Sequence, residues 1–173
     1  MKFDCSIVQT HYQSPLGAIT LAATQNGLAG VWFVGQRHVP PELAQVTSWP
    51  AQANHPVLVT ATLQLAQYFS GQRHDFDVPL DLSGGTAFQQ AVWRALLTIP
   101  SGQTTSYSHI SRHISNPAAV RAVGAAVGRN PVSIIVPCHR VLGANGSLTG
   151  YAGGLDRKTA LLKLEGAHVE SLL

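Results

Sequence analysis

The first third of the chain alternates short apolar runs with turn residues. The β-prone runs at 6–12, 18–24 and 28–34 are separated by SPLG and QNG, which are typical of antiparallel hairpins. This pattern predicts a small antiparallel sheet. Apolar positions over 57–71 then recur at helical spacing and end in a glycine, which predicts a helix packed on that sheet.

A further strand and a boundary are predicted after that helix. The segment FDVPLDL, residues 76–82, is β-prone, and Pro79 would place it at a sheet edge because proline has no amide hydrogen for a ladder. The small polar stretch DLSGGT, residues 81–86, has the composition of a boundary between two lobes. We therefore expect an N-terminal lobe over 1–82 and a C-terminal domain over 83–173.

The second lobe has helical patterning. Thr86 is the predicted N-cap of a helix over 87–98, and a second helix is predicted over 106–115. A third helix is predicted next, with Asn116 as its N-cap and Asn130 where it ends. The short turn between the second and third helices predicts a helix-turn-helix motif. The predicted fold class is α/β, of the α+β type. It combines a small N-terminal antiparallel sheet and its helix with a mainly helical C-terminal lobe.

The third predicted helix is made of small apolar residues. Between 118 and 128 it is almost entirely Ala, Gly and Val, with Arg121 and later Arg129 as its only charges. Two interior glycines cost roughly 1 kcal/mol each relative to alanine, so some other interaction must offset them. Tight helix packing is one explanation. The other is close approach of the helix to a nucleic-acid groove with Arg121 projecting into it, and the helix alone favours neither.

Charge is distributed unevenly along the chain, whose formal net charge is +3. Residues 1–81 have a net charge of −2, from three Lys or Arg and five Asp or Glu. Residues 82–173 have a net charge of +5, from eight Lys or Arg and three Asp or Glu. The second lobe therefore suits a polyanion better than the first does.

The cysteine content and the N-terminus bear on the compartment. Cys5 and Cys138 are too few for a disulfide framework, and neither belongs to a CxxC pair, which favours a reducing environment. The chain has no apolar run of about 18 residues, and Asp4 interrupts the segment where a signal peptide needs one. We therefore expect a soluble, cytoplasmic protein with no membrane partner.

Cys138 follows the β-branched run VSIIV, residues 132–136, which predicts a buried strand that ends at Pro137. A cysteine at that exit is either a buried packing residue or a nucleophile. Metal binding is a poor third interpretation, because the adjacent Cys138 and His139 cannot easily reach one ion and no second ligand cluster lies nearby. His139 or Arg140 could promote the thiolate, which is the reactive form.

A base beside the thiol needs a group that orients it. Glu165 is the best acidic candidate in this lobe, because Asp156 adjoins a glycine-rich loop and Glu170 lies in the tail. That loop, residues 143–154, lacks the GKS or GKT of a phosphate-binding loop, so a lid over a flat ligand is the better interpretation. Together these features favour a nucleophilic Cys138.

The motifs PCHRV, RAVGAAVGRNP and YAGGLDRKTALLKLEG together resemble the O(6)-alkylguanine-DNA alkyltransferases, also called methylated-DNA–protein-cysteine methyltransferases. The match runs in order over 86–173, and the SPLG turn extends it more loosely into the first lobe. The resemblance implies stoichiometric transfer of an alkyl group to cysteine from O6 of alkylguanine in double-stranded DNA, and from O4 of alkylthymine. It also implies binding through the minor groove, a monomer in the free state and no cofactor.

The resemblance further implies roles for individual residues. Cys138 would accept the alkyl group, with His139 as a water-mediated base that Glu165 orients. Tyr107 would protonate the departing guanine, and Arg121 would enter the duplex where that base is flipped out. The other DNA-contacting positions on the third helix would be Ala122, Gly124, Ala125 and Arg129. The positions that form or support the base pocket would be Asn130, Val141, Tyr151, Ala152 and Gly153.

The chain departs from this family in two places. Relatives with an N-terminal zinc site use cysteine and histidine ligands, whereas only Cys5 is kept here and Thr24 and Ala29 stand at two other ligand positions. We therefore predict no structural metal. Ala152 stands where some members have a serine that contacts the guanine oxygen, so backbone N–H groups would have to make that contact.

Two other functions are open at this stage. A cysteine hydrolase could use Cys138 and His139, although the sequence has no recognisable oxyanion element. A non-catalytic, alkyltransferase-like binder of damaged DNA would share the fold, but such proteins replace the reactive cysteine and Cys138 is present here.

Overall fold

The computed structural model describes residues 1–44 and 49–168, and Glu170 lies outside them. The chain divides into two compact units, one of Met1–Gly85 with Pro131–Ser133 and one of Thr86–Asn130 with Ile134–Leu173. The domain boundary after residue 82 stays a prediction. No helix among the described residues is both long enough and apolar enough to cross a membrane.

The first unit contains the predicted hairpins. Strands β1 (Val8–Ser14), β2 (Gly17–Thr24) and β3 (Gly27–Phe33) form an antiparallel sheet in sequence order. Helix α1 (Pro56–Phe69) packs on this sheet, and its apolar stripe is buried at Leu58, Ala61, Leu65 and Tyr68. The sheet and helix predicted for the first lobe are therefore confirmed.

The strand predicted over 76–82 is wrong. Only one parallel bridge forms, between Leu28 and Leu80, where Leu28 N–H donates to Pro79 O and Asp81 N–H donates to Leu28 O. Pro79 has no N–H of its own, so the ladder cannot extend. Side chains hold this segment instead, because Thr24 Oγ1 donates to the Asp81 carboxylate at the end of β2.

The second unit is mainly helical. Helix α2 (Ala87–Leu96) begins at the predicted cap, where Thr86 Oγ1 accepts from Gln89 N–H and the Gln89 side chain accepts from Thr86 N–H. Strand β4 (Thr105–Ser106) leads into helix α3 (Tyr107–His113). The remaining helices of the described residues are α4 (Val120–Gly128) and α5 (Leu155–Leu164).

Helices α3 and α4 pack on each other and on α2, and Trp93 of α2 donates its indole N–H to Ala126 O in α4 at 2.9 Å. The third predicted helix starts later than expected. A 3₁₀ turn, Pro117–Ala119, precedes α4, and Asn116 flanks that turn without a side-chain hydrogen bond to it. The prediction that Asn116 caps the helix is therefore wrong, because its side chain makes no capping hydrogen bond. Pro117 does occupy the first position of the turn.

The strand predicted over 132–136 is also wrong. Val132 makes a single bridge to Val31, after which Ile134 takes a left-handed φ of 73° that turns the chain out of the sheet. Cys138 therefore does not follow a strand and begins a 3₁₀ turn, Cys138–Arg140. Strand β5 (Val141–Leu142) follows this turn and pairs in parallel with β4.

Candidate active site

Cys138 lies at the start of its 3₁₀ turn with only 4% of its surface exposed. Its Sγ accepts a hydrogen bond from Asn130 Nδ2 at 3.0 Å, and the same amide nitrogen donates to Val136 O at 2.7 Å. Asn130 lies two residues after the end of α4. One buried amide therefore ties this helix to the segment that presents the thiol.

The resting thiol is protonated. Burial raises the pKa of Cys138, and the hydrogen bond from Asn130 and the positive charge of Lys158 oppose that rise only in part. Reaction at this thiol therefore requires a base that removes the proton, which is the role predicted from the sequence for His139.

His139 has the properties of such a base. Its side chain is fully buried, and its Nε2 lies 2.9 Å from Glu165 Oε1. Burial lowers the pKa of His139. Glu165 raises it, but burial and the nearby cations Arg140 and Lys158 together outweigh that effect. The imidazole is therefore neutral near pH 7.

The carboxylate of Glu165 determines which imidazole nitrogen carries the proton. Burial alone would raise the pKa of Glu165, but hydrogen bonds from His139 and Arg140 hold it well below its usual range. An ionised carboxylate only accepts, so His139 Nε2 must donate and Nδ1 must carry the free lone pair. His139 Nδ1 is buried and has no hydrogen-bond partner among the residues that the structure describes.

Arg140 holds this carboxylate in place. Its Nε donates to Glu165 Oε2 and its Nη2 to Oε1, both at 2.8 Å, while Nη1 donates to Ile99 O. A bidentate contact from a guanidinium group fixes both the position and the orientation of a carboxylate. Arg140 therefore belongs to a buried ion pair.

Sequence reasoning missed Lys158. The side chain is fully buried, and Nζ donates to Val141 O at 2.6 Å and to Thr149 O at 2.7 Å. Burial lowers its pKa from 10.5 to about 8, while the negative charge of an ionised Cys138 opposes that shift. Its spacing was a usable signal, since Lys158 lies three and four residues before the apolar Leu161 and Leu162.

The glycine-rich loop over 143–154 approaches the same place. Tyr107 opens α3, and its hydroxyl points to Gly150 O at a long 3.5 Å. Burial raises the pKa of Tyr107, as does the charge of Cys138, so the phenol is protonated near pH 7. Tyr151 and Gly153 are buried and Ala152 is half-buried, and a Cβ on Gly153 would lie 2.6 Å from the Tyr151 ring.

The other predicted pocket residue, Val141, is buried and takes part through its carbonyl group, which accepts from Lys158. The predicted cluster is thus largely assembled within the second unit. The predicted residues joined there by hydrogen bonds or charge interactions are Tyr107, Asn130, Cys138, His139, Val141 and Glu165.

The predicted DNA-contacting residues lie on α4 and at its C-terminal end, where Arg129 is the C-cap. Arg121, Ala122, Ala125 and Arg129 are exposed, and Gly124 is half-buried beside them. Neither arginine forms an ion pair or a side-chain hydrogen bond with any described residue. These positions therefore combine small side chains with two cations that have no partner among the described residues.

The glycines of α4 are not required by packing inside the protein. A Cβ on Gly124 would come no closer than 3.9 Å to the Tyr107 ring, which is ordinary contact, and a Cβ on Gly128 would meet nothing within 4 Å. Of the two explanations, tight internal packing therefore does not account for these two glycines, although it does account for the buried Ala126. Close approach by an external partner remains.

Among the described residues, no group of three or more His, Cys, Asp or Glu side chains is arranged to hold a metal ion. Cys5 is exposed, and Thr24 is bonded to Asp81. The absence of a structural metal stays a prediction that metal analysis can check.

Comparison with known families matches both halves of the chain. Residues 7–82 match the 6-O-methylguanine DNA methyltransferase, ribonuclease-like domain, and residues 87–167 match the DNA binding domain of the same name. The chain is 49% identical over 155 residues to the methylated-DNA–protein-cysteine methyltransferase of Mycolicibacterium paratuberculosis, covering 90% of each. It is 50% identical over 147 residues to the inducible protein of that name from Bacillus subtilis, covering 80% of each.

Solved structures give the same result. The chain resembles the crystal structure of Mycobacterium tuberculosis OGT in complex with DNA, with a TM-score of 0.80 and 47% identity over 92% of both chains. It also resembles the O6-methylguanine methyltransferase of the same organism, with a TM-score of 0.80 and 47% identity, covering 92% of this chain and 93% of the other. The mixed α+β fold class is thereby confirmed.

Proposed function

Since this chain belongs to the family of methylated-DNA–protein-cysteine methyltransferases, we propose that it repairs O6-alkylguanine in DNA by moving the alkyl group onto Cys138. The observation that carries this proposal is the ordered series of a buried thiol, a neutral imidazole and an ionised carboxylate. The free lone pair of His139 Nδ1 is the group that would take up the thiol proton.

The first step is removal of that proton. The hydrogen leaves Cys138 Sγ and reaches His139 Nδ1 through a water molecule, because that nitrogen makes no hydrogen bond to any residue that the structure describes. Glu165 accepts the Nε2 hydrogen throughout and stabilises the imidazolium that results. Asn130 donates to Sγ and stabilises the thiolate.

The second step is attack on the alkyl carbon. The thiolate forms a new S–C bond as the C–O6 bond breaks, and the bonding electron pair of the latter stays on the guanine. The protonated phenol of Tyr107 supplies a hydrogen to the departing base and is restored by the proton held on His139. One proton leaves sulfur and one arrives on guanine, so the step is balanced.

Cys138 can react only with a base brought to it, because just 4% of its surface is exposed. A base inside a duplex is out of reach, so the nucleotide must be flipped out at a cost of a few kcal/mol, least for a damaged base. The α4 face, with Arg121, Ala122, Gly124, Ala125 and Arg129, would lie in the minor groove. Arg121 would fill the gap left by the flipped nucleotide.

The product of transfer is a thioether. It has no carbonyl group for water to attack, unlike the thioester of a cysteine hydrolase, so each molecule acts once. Intact mass after incubation with a duplex containing O6-methylguanine should rise by one methylene per chain, and peptide mapping should place it on Cys138. Sustained turnover, or a modified peptide without Cys138, would overturn the proposal.

Cys138→Ser is the matched control for this measurement. It should bind the duplex about as well as the wild type and gain no mass. Hydrolysis of an activated ester with turnover would instead favour the cysteine hydrolase, and wild-type DNA binding with no mass gain would favour a non-catalytic damage binder.

We further propose that the protein acts as a monomer in the cytoplasm, with residues 83–173 as the domain that binds DNA and carries out transfer. The alkyl group on O4 of thymine is a second proposed substrate. Sedimentation of the free protein, cell fractionation and the mass assay with an O4-methylthymine duplex test these three points separately.

A further inference from the structure

We infer that the outer face of helix α3, formed by His109, Arg112 and His113, is a second contact with DNA and binds the phosphate backbone beside the groove that α4 occupies. We call this surface the α3 face. The inference rests on the proposed function, which supplies the duplex and places α4 in its minor groove. It adds residues from a different helix to the contacts proposed for α4, and these residues would bind phosphate whatever the base sequence.

The side chains of the α3 face are free to bind a partner. All three are exposed, and their spacing of three and four residues from His109 places them on one side of the helix. Arg112 Nε donates to Ser108 O at 3.2 Å, while neither Nη group has a partner among the described residues. The imidazoles of His109 and His113 likewise make no hydrogen bond or ion pair within the described part of the chain. The α3 face therefore has donors that an external acceptor can use.

The sequence around the α3 face has no carboxylate that could neutralise it. No Asp or Glu occurs between residues 82 and 155. Helix α3 packs on α2, on α4, on the turn Pro117–Ala119 and on β4, and the charged side chains of these elements are Arg94 and Arg121, which are both cations. An exposed arginine beside a carboxylate would be paired with it, whereas Arg112 keeps its full charge for an external anion.

Helix α3 lies between the two side chains that the proposed function places at the flipped nucleotide. Tyr107 is its first residue, and Arg121 lies in the first turn of α4, which packs directly on α3. The walls of a groove are the sugar-phosphate backbones, and in helix-turn-helix proteins the helix before the recognition helix crosses the backbone. A duplex that receives both α4 and Tyr107 therefore presents phosphates to the α3 face, where the guanidinium of Arg112 is a suitable donor.

The test measures binding of an unmodified DNA duplex, which does not consume the protein, at several salt concentrations. Loss of one arginine–phosphate contact lowers the slope of log affinity against log salt by about 0.9, and this corresponds to about a fivefold loss of affinity at about 0.15 M salt. We expect this change for Arg112→Gln and wild-type behaviour for Lys163→Gln. Lys163 is the matched control, because it is an exposed cation of the second unit on α5, whose main packing partner is the turn Cys138–Arg140.

Replacement of the two histidines tests the rest of the α3 face. A variant with His109→Ala and His113→Ala should bind the duplex about two- to tenfold more weakly, since one net hydrogen bond contributes a factor of that size. His74→Ala is the control, because His74 is an exposed histidine of the first unit. All these positions are exposed, and urea unfolding confirms that each variant is folded. Wild-type affinity in the double histidine variant, or an unchanged salt slope in Arg112→Gln, would overturn the inference.

Transfer kinetics separate this inference from the proposed function. Because the α3 face would touch phosphate and not the reacting base, Arg112→Gln should reach the wild-type transfer rate at saturating O6-methylguanine duplex but need about five times more duplex for half of that rate. A lower saturated rate with unchanged affinity would mean that Arg112 acts on Tyr107 or α4, and would overturn the inference. If the wild type transfers no methyl group while the salt slope falls as expected, the proposed function fails and the DNA contact stands. Transfer with an unchanged slope gives the opposite result.

Discussion

Replacing Glu165 by glutamine tests whether one carboxylate both stabilises the second unit and sets the tautomer of His139. Oε1 accepts from His139 Nε2 and Arg140 Nη2, while Oε2 accepts from Arg140 Nε and, at a long 3.5 Å, from Gly102 N–H. An amide has only one acceptor oxygen, and its NH₂ group cannot accept. In either orientation, therefore, the glutamine NH₂ faces an N–H of Arg140.

The size of the effect follows from burial. The Glu165 side chain is fully buried and that of Arg140 is 7% exposed, so the guanidinium would be left with its charge unpaired. Breaking a buried ion pair in this way costs about 3–5 kcal/mol. The pKa of Glu165 is depressed in the folded state, so its stabilisation is fully present above the unfolded pKa of about 4.3 and is lost as pH falls through the folded value.

Urea unfolding at pH 7 measures the loss of stability, and single-turnover alkyl transfer measures the loss of the oriented base. We expect transfer to slow by about 100-fold or more, since general-base catalysis contributes about 10²–10⁴. Asp156→Asn is the matched control, because Asp156 is exposed in the first turn of the same helix and its loss should cost at most about 1 kcal/mol. Glu165→Gln with an unfolding free energy within 1 kcal/mol of wild type, or with an unchanged transfer rate, would refute the reasoning.

Three further predictions concern other parts of the chain. Asp81→Asn should cost about 1–3 kcal/mol at pH 7 in urea unfolding, and the difference should shrink below about pH 4, because the bonds from Ser83 and Thr24 overcome burial and hold the pKa of Asp81 below its usual value. Gly124→Ala should raise folding stability by up to about 1 kcal/mol yet weaken binding to duplex DNA; unchanged affinity would show that no partner approaches that position. Metal analysis of the purified protein should find no stoichiometric zinc, and one zinc per chain would contradict the prediction made from Thr24 and Ala29.

The parts of the fold that the sequence predicts well depend on patterns of residues that are close together in the chain. The hairpins depend on turn residues beside apolar runs, and α2 depends on a capping box formed by residues three apart, Thr86 and Gln89. The sequence predicts the pairing of His139 with Glu165 because the other acidic residues of that lobe are poorly placed, and the structure brings the two side chains to 2.9 Å. Each of these inferences compares residues whose relation is visible in the sequence.

The incorrect strand over 132–136 and the missed role of Lys158 have one physical cause in common. A β-branched run such as 132–136 signals burial, and a strand is only one way to bury it; here the left-handed Ile134 and the side-chain amide of Asn130 replace a regular ladder. Lys158 was missed because lysine is rarely buried fully, and only the tertiary arrangement supplies the two carbonyls that make its burial possible. Both features depend on side chains that donate to backbone carbonyl groups, and hydrophobic periodicity carries no information on such bonds.

A nucleophile that is used once has a requirement that an ordinary catalyst does not have. Any electrophile that reaches a thiolate would consume the protein, whereas a protonated thiol reacts far more slowly. Burial keeps Cys138 protonated and 4% exposed, while the neutral His139 and the charged Lys158 lower the barrier to ionisation from within the same unit. It follows that small alkylating agents should modify the exposed Cys5 well before Cys138 in the absence of DNA. Faster modification of Cys138 in a peptide-mapping time course would mean that the resting thiol is ionised, and the role assigned to His139 would then be unnecessary.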